Sequence, residues 1–455
     1  ITVNAVSDGL RGKDSITILD GEITIDAKED GMKSSNTEDA EKGYIHIQGG
    51  TLNITAGQDG IQAETNAVIS NGEINIVSGE GSKNSSSKNE NWGSWGGKQP
   101  PEMQPPGTQQ PDKNNTTTTE ETDSTSAKGI KATSNITISG GNINIDSSDD
   151  SIHSNDIIVI KGGNIKASSG DDGVHADSKI EINGGDIDIT KSYEGIESQS
   201  ITINDGNINV VASDDGINAG GGNDASATGG RPGENNFDSP SKCEIVINGG
   251  YTVVDARGDG IDANGTITIK GGTTIVNGPE NNGNGSLDYD GSCDISGGIL
   301  IAAGSAGMAQ SPSSTSSQNS VNVALSSQQA NTIIHIEDEK GNEVITFAPS
   351  KQYQSVIVSS PELKTGSTYT VSYGGTSTGE AKDGLYTGGK YSGGTKSTSF
   401  TVSESVTNLG SAGGSMGGPG GGHMGGGKGG IRPDRNGSMQ QPPTQNSMEN
   451  NIQTQ

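Results

Sequence analysis

The chain has 455 residues, only 27% of them hydrophobic and 3% aromatic, and its 56 acidic against 28 basic residues give a formal charge of −28. That balance excludes a basic footprint for nucleic acid, and no apolar run reaches the roughly 20 residues of a membrane-spanning helix. An ordinary globular core would lack aliphatics at this composition, whereas a thin core of small aliphatics held in register would not.

In chain order, Ile1 opens directly into a strand-like ITVNAV, whose unpaired edge reads as that of a processed or trimmed chain with no readable leader. The first coils follow as DGLRG (8–12), SITILDGEITI (15–25), DGMKS (30–34), YIHIQGGTLNI (44–54), DGIQA (59–63) and AVISNGEINI (67–76). Between 78 and 127 the pattern lapses into Gly, Ser, Asn, Pro and Thr, with Trp92 and Trp95 in WGSWGG, and reads as a flexible excursion. Aromatic loops of this kind can stack on sugar rings. KGIKA (128–132) resumes the pattern.

Residues 136–219 then state one 22-residue phrase four times. Ile136, Ile158, Ile180 and Ile201 start it, Ile143, Ile165, Ile187 and Ile208 form its middle, and Ile152, Val174, Ile196 and Ile217 close it. Each phrase holds an IxI, a GGxIxI and a DGIxA segment, and such alternation marks strands with one buried face. The Gly pairs 140–141, 162–163 and 184–185 mark bends that need positive φ. One turn of three strands cannot bury its inward Ile side chains, so turns must stack in parallel at about 4.8 Å per rung. The expectation is an all-β parallel β-helix over 1–303, of about ten coils of about 22 residues each, with a second excursion at 220–240.

IVINGG (245–250), DGIDA (259–263), ITIKGG (267–272), LDYDGSCDISGG (287–298) and ILIAA (299–303) finish the solenoid. A Ser-rich linker is expected at 304–320, a small antiparallel β cap at 321–404 with the turn EKGN at 339–342, and a disordered tail rich in Gly, Met, Pro and Gln at 409–455. Cys243 and Cys293 each precede an Ile by two residues, which places them in one repeat phase. Two rungs separate them by about 9.6 Å, beyond the roughly 7 Å limit of a disulfide, so two free thiols are expected.

The distinctive polar feature is an acidic corner before each DGIxA strand: Asp149 and Asp150, Asp171 and Asp172, Asp214 and Asp215, with Asp30, Asp59 and Asp259 in equivalent phase. Stacking brings like charges within about 5 Å, a repulsion of roughly 1 to 3 kcal/mol per pair. Ca²⁺, which takes six to eight oxygen ligands in flexible geometry, would offset it. The alternative is that these carboxylates cap their own turns. The spacing is that of neither an EF-hand nor a GGxGxD repeat. The variable residue of DGIxA is expected to point outward, giving a stripe of Lys131, His153, His175, Glu197, Asn218 and Asp262. This stripe reads either as a polysaccharide-binding face or as a plain solvated one. His153 and His175 on adjacent rungs form a weak metal pair without a third ligand.

SxIxIxGGxIxI with DDGIxA, the closure GSLDYDG (285–291) and the small C-terminal β segment together resemble a family of secreted bacterial carbohydrate-binding β-helix proteins, of clostridial cellulose- or pectin-binding type and similar in architecture to pectate lyases. The resemblance implies a right-handed β-helix, calcium ions at coil corners, and noncatalytic binding of plant cell-wall polysaccharides, acidic ones included, by a secreted or cell-surface monomer. The residues that match its corner pattern are Asp150, Asp172, Asp215 and Asp259, with departures at Lys128, Ser151 and Glu194. A competing reading is a calcium-dependent polysaccharide lyase, which would need a basic residue to take the proton, with Lys131, Lys166 and Lys179 as candidates. Another is a structural adhesin. Ice binding is set aside because the outward column Thr137, Val159, Glu181, Thr202 breaks the Thr ladder it requires.

Overall fold

Strict repetition of inward Ile has a direct structural outcome. In the computed structural model, which describes residues 1–84, 126–220 and 243–410, the chain winds into a parallel β-helix that an antiparallel region closes. Most of both expected excursions, with Trp92 and Trp95, and nearly all of the expected tail lie outside the described residues.

Each coil contributes to three ladders. Six-residue strands such as Asn142–Ser147 and Asn164–Ser169 form the first. Three-residue strands such as Ile130–Ala132 and Ile152–Ser154 form the second, and four-residue strands such as Asn135–Ile138 and Ile157–Ile160 the third. In two coils the second and third strands run on without a break, as Val174–Ile182 and Ile196–Ile203, which merges both ladders into one 18-stranded sheet. Among the described residues ten complete coils precede a last first-ladder strand, Ile299–Gly304.

The register is the one the period demands. Ile136 lies beside Ile158, Ile158 beside Ile180 and Ile180 beside Ile201, and all four are fully buried. Ile152, Val174, Ile196, Ile217 and Ile261 form an equally buried column in the second ladder. The branched side chains fit a pleated, half-buried surface. The bends use glycine where the backbone turns left-handed, at φ of 98° for Gly141 and 101° for Gly163. The corner glycine of DGIxA has a different reason: a Cβ on Gly195 would meet Val210 Cγ1 at 2.1 Å and the Gly216 carbonyl oxygen of the next coil at 2.2 Å. Close stacking, not φ, excludes a side chain there.

One expectation about phase is corrected. Cys293 lies beside Ile267, which lies beside Ile245, so Cys293 fills the inward Ile position of the last IxI segment. Cys243 sits one residue before Glu244, outside that column, and the two cysteines do not share a phase. Both thiols are free and buried, and burial pushes the Cys293 thiol up to about 12.

Residues 305–319, expected as a linker, run along the last third-ladder strand, Ser292–Ile295, without becoming a strand themselves. The Ser313 N–H donates to Cys293 O (2.8 Å) and the Gln318 N–H to Ile295 O (3.0 Å). In return the hydroxyl oxygens of Ser313 and Ser316 accept the N–H groups of Cys293 (2.9 Å) and Ile295 (3.0 Å). Tyr353–Ser359 and Ser320–Gln328 then extend the first ladder in antiparallel fashion, and Val406–Leu409 adds the outermost strand. A separate six-stranded antiparallel sheet contains Ile334–Asp338, Glu343–Phe347, Thr368–Tyr373 and Thr395–Thr401. Its Phe347, Tyr369 and Phe400 share a second core with Val253, Ile275 and Ile301 of the solenoid's outer face. The cap therefore covers the flank of the last coils as well as their end.

Candidate functional site

The coil corners align as expected into one column: Asp8, Asp30, Asp59, Lys128, Asp150, Asp172, Glu194, Asp215 and Asp259. One carboxylate oxygen of most members accepts the backbone N–H of the next. Asp30 Oδ1 takes the Asp59 N–H (3.0 Å), Asp59 Oδ1 that of Lys128 (2.8 Å), Asp150 Oδ1 that of Asp172 (3.0 Å), Asp172 Oδ1 that of Glu194 (3.1 Å), and Asp215 Oδ1 that of Asp259 (2.6 Å). The carboxylates thus cap turns, but those of the neighbouring coil. That leaves the second oxygen of each free to face the variable residue three positions on.

Up to His153 the second oxygen meets a cation carried by the chain itself. Lys33 Nζ lies 2.6 Å from Asp30, Lys131 Nζ lies 3.6 Å from Asp59, and Lys128 Nζ bridges Asp149 (3.0 Å) and Asp150 (2.6 Å). His153 Nδ1 makes a further 2.8 Å contact to Asp150. Burial opposes ionisation of Asp150, yet the Lys128 ammonium and His153 outweigh it and hold the carboxyl well below the usual range. Asp149, Asp150 and Asp171 do bring ligand oxygens within 4.8 Å of one another. The departure from aspartate at 128, however, places an ammonium against two of the three.

Past Glu194 the pattern changes. Glu194, Asp214, Asp215, Asp259 and Asp262 form no ion pair with any lysine, arginine or histidine among the described residues, and Asp288 follows Asp262 in register. Burial first, and then mutual repulsion, raise Glu194 and Asp215 well above the carboxylate range, Asp259 to about 7 and Asp262 to about 8. Asp214 Oδ1 and Asp215 Oδ1 converge on a point beside Gly258, at 2.4 Å and 2.3 Å from where a Cβ would sit. Asn218, buried between Glu197 and Asp262 in register, donates to Glu194 Oε2 (2.9 Å) and leaves its Oδ1 without a hydrogen bond. Carboxylate and amide oxygens are the donor types a hard cation such as Ca²⁺ takes, although among the described residues no three acids of this stretch bring ligand oxygens within 4.8 Å of one another.

His175 sits at the boundary between these regions. It is fully buried, and neither ring nitrogen makes a hydrogen bond. Its Nδ1 lies 3.3 Å from Asp172 Oδ2, without the alignment of a hydrogen bond, and 3.7 Å from Glu197 Oε2. Burial disfavours the imidazolium, but Asp172, Glu197 and Asp150 outweigh burial and push the ring up to about 10.

Lys131, His153, His175, Glu197, Asn218 and Asp262 do form one column. His153, His175 and Asn218 are buried in it and meet corner groups rather than open solvent. Of the candidate lysines, Lys131 is held by Ser126 and Asp59 and Lys179 by Glu181 (2.8 Å), whereas Lys166 is exposed on the first ladder.

That outer face of the first ladder carries polar groups not singled out from the sequence. Asn53, Asn75 and Asn144 form a hydrogen-bonded amide column (3.0 and 2.9 Å), Asn164 donates to Asn142 (2.8 Å), and Asn207 and Asn209 donate to Asp186 and Asp188 (2.7 Å each). A shallow groove of about 380 Å³ lies over Asn142, Asn144, Lys166 and Asp188, and a second meets it at Asp186 and leads past Asn207 to Tyr251. The signal available in sequence was the recurrence of Asn or Asp at the outward positions of GGxIxI. Among the described residues no helix is long and apolar enough to cross a membrane.

The fold and its polar columns define a solenoid with one accessible amide- and carboxylate-lined face and one partly buried acidic corner. Residues 1–173 match the model of a family described as "Carbohydrate-binding domain-containing protein", which supports a carbohydrate-binding family. No curated protein matches the chain. No solved structure matches it either.

Proposed function

We propose that the chain is a noncatalytic polysaccharide-binding protein, secreted or at the cell surface, that lays an extended sugar chain along the outer face of the first ladder. The observation that carries this reading is the column of side-chain amides and carboxylates repeated rung after rung in the coils that include the family match. Each amide offers donors and an acceptor, so a repeating polymer of hydroxyls meets a repeating row of partners. Plant cell-wall polymers, cellulosic or pectin-like, are the proposed ligands. At a formal charge of −28 the surface repels an acidic polymer, so binding of a pectin-like chain requires Ca²⁺ at the acidic half of the corner, with Asp214, Asp215, Asp259, Asp262 and Asn218 as its donors.

A glycan array probed with and without Ca²⁺ tests the reading. Binding to plant polysaccharides, lost at least tenfold in an Asn144→Ala, Asp188→Ala double variant, is expected, and retention of acidic polymers should disappear in EDTA. An array with no polysaccharide retained in either condition would overturn the proposal. Lys166, exposed in the groove between Asn144 and Asp188, is the feature that favours a lyase instead. Unsaturated-product absorbance that Lys166→Met abolishes would establish that alternative.

A further inference from the structure

The corner also contains a set of donors that calcium chemistry does not explain. His175 is a fully buried imidazole with both nitrogens unbonded, a costly arrangement unless something else coordinates them. Its surroundings are acidic on several sides, from Asp172 and Asp177 on its own coil, Asp150 below and Glu197 above. Asp150 Oδ2 is already engaged by Lys128 (2.6 Å) and His153 (2.8 Å). Asp172 Oδ2 and Glu197 Oε2 instead face His175 Nδ1, at 3.3 Å and 3.7 Å. One carboxylate oxygen of Asp172, one of Glu197 and a ring nitrogen of His175 lie within 4.8 Å of one another.

We propose that Asp172 Oδ2, His175 Nδ1 and Glu197 Oε2 hold a divalent transition-metal ion of the zinc class. Metal–nitrogen and metal–oxygen bonds of about 2.0–2.2 Å in a tetrahedron place neighbouring ligand atoms about 3.3–3.6 Å apart. Of the separations from His175 Nδ1, the 3.3 Å to Asp172 is such an edge and the 3.7 Å to Glu197 lies just beyond one. The imidazole decides the class, since Ca²⁺ and Mg²⁺ favour oxygen while zinc-class ions bind imidazole well. Asp177 supports the same assignment. Its Oδ1 lies 3.6 Å from His175 Nε2, on the side where a metal-bound histidine hands its other N–H to a carboxylate. The Glu197 side chain is 18% exposed, which gives an ion a path in and leaves the fourth position to water. The three ligands come from the coil corner at Asp172, the strand Val174–Ile182 and the strand Ile196–Ile203, so a bound ion joins two successive coils.

The site stands apart from glycan recognition and is tested without any sugar. The full chain, stripped with chelator, is titrated with Co²⁺ and then Zn²⁺ in excess Ca²⁺. Expected are one equivalent of Co²⁺ per chain with visible absorption bands of mixed nitrogen and oxygen ligation, displacement by Zn²⁺, and no displacement by Ca²⁺. His175→Ala should abolish uptake and Glu197→Gln should weaken it at least tenfold; the latter keeps the test decisive if the first variant fails to fold. No Co²⁺ uptake, displacement by Ca²⁺, or uptake unchanged by Glu197→Gln would each overturn the assignment.

Discussion

The corner column uses one backbone device in two electrostatic ways. From Asp30 to His153, each carboxylate that accepts a neighbouring coil's N–H turns its other oxygen to a lysine or histidine of the chain. From Glu194 to Asp262 the same geometry recurs with acids or an amide at the variable position. The difference teaches that the repeat specifies the hydrogen-bonded stack, while a coil is electrically closed only where the chain brings a cation to the corner acid, from three places on as with Lys33 or from the preceding corner as with Lys128. A closed coil needs nothing from solution, and an open one is held together at the expense of ionisation or by an ion from outside.

Making a closed coil open should have the largest effect. Lys128→Met leaves Asp149 and Asp150 facing each other with Lys128 gone, and stripping one partner from a buried pair costs about 3–5 kcal/mol. Denaturant midpoints should fall accordingly, and millimolar Ca²⁺ should recover part of the loss in this variant.

The next effect belongs to the open half itself. Carboxyls raised in the folded state hold protons that the unfolded chain has released, so the stability these groups contribute is fully present only below the ordinary carboxylate range. It declines as pH climbs toward the folded values of about 7 for Asp259 and about 8 for Asp262. In EDTA, unfolding between pH 5 and pH 8 should therefore show a loss of about 2 kcal/mol, allowing for heavy screening of shifts worth about 1.4 kcal/mol per unit. Added Ca²⁺ should flatten the slope, and a slope unchanged by Ca²⁺ would count against an ion there.

A smaller change should close an open coil. Asp262 holds the place after Asp259 that Lys33 holds after Asp30. Asp262→Lys should add about 1 kcal/mol in EDTA at pH 8, the upper range of a part-exposed pair, and reduce the response to Ca²⁺.

The solenoid was legible because its inward Ile columns recur at a fixed interval, and Ile136, Ile158, Ile180 and Ile201 needed no three-dimensional information to be aligned. The corner acids were legible for the same reason. What each acid touches was not. Lys128 interrupts the run of aspartates in sequence, yet its ammonium reaches forward to Asp149 and Asp150 on the next coil, a contact that spacing alone does not reveal. The acids that surround His175 come from its own corner, from Asp150 one coil before and from Glu197 one coil further on, and spacing in the sequence did not bring them together. Distance to the next Ile gives the two cysteines one phase, although Cys293 itself stands for the first Ile of its segment. Outward Val253, Ile275 and Ile301, in TVVDA, TTIVN and ILIAA, were a visible sign that the last coils are covered on their flank.

The serines that follow the last coil have a consequence for assembly. Cys293 and Ile295 each have both backbone groups engaged, the N–H by a hydroxyl oxygen and the carbonyl by a backbone N–H of the same passing segment. A second tube approaching end-on at that rim finds no vacant main-chain pairing sites there, so this terminus resists the fibre growth to which stacked parallel sheets are otherwise prone.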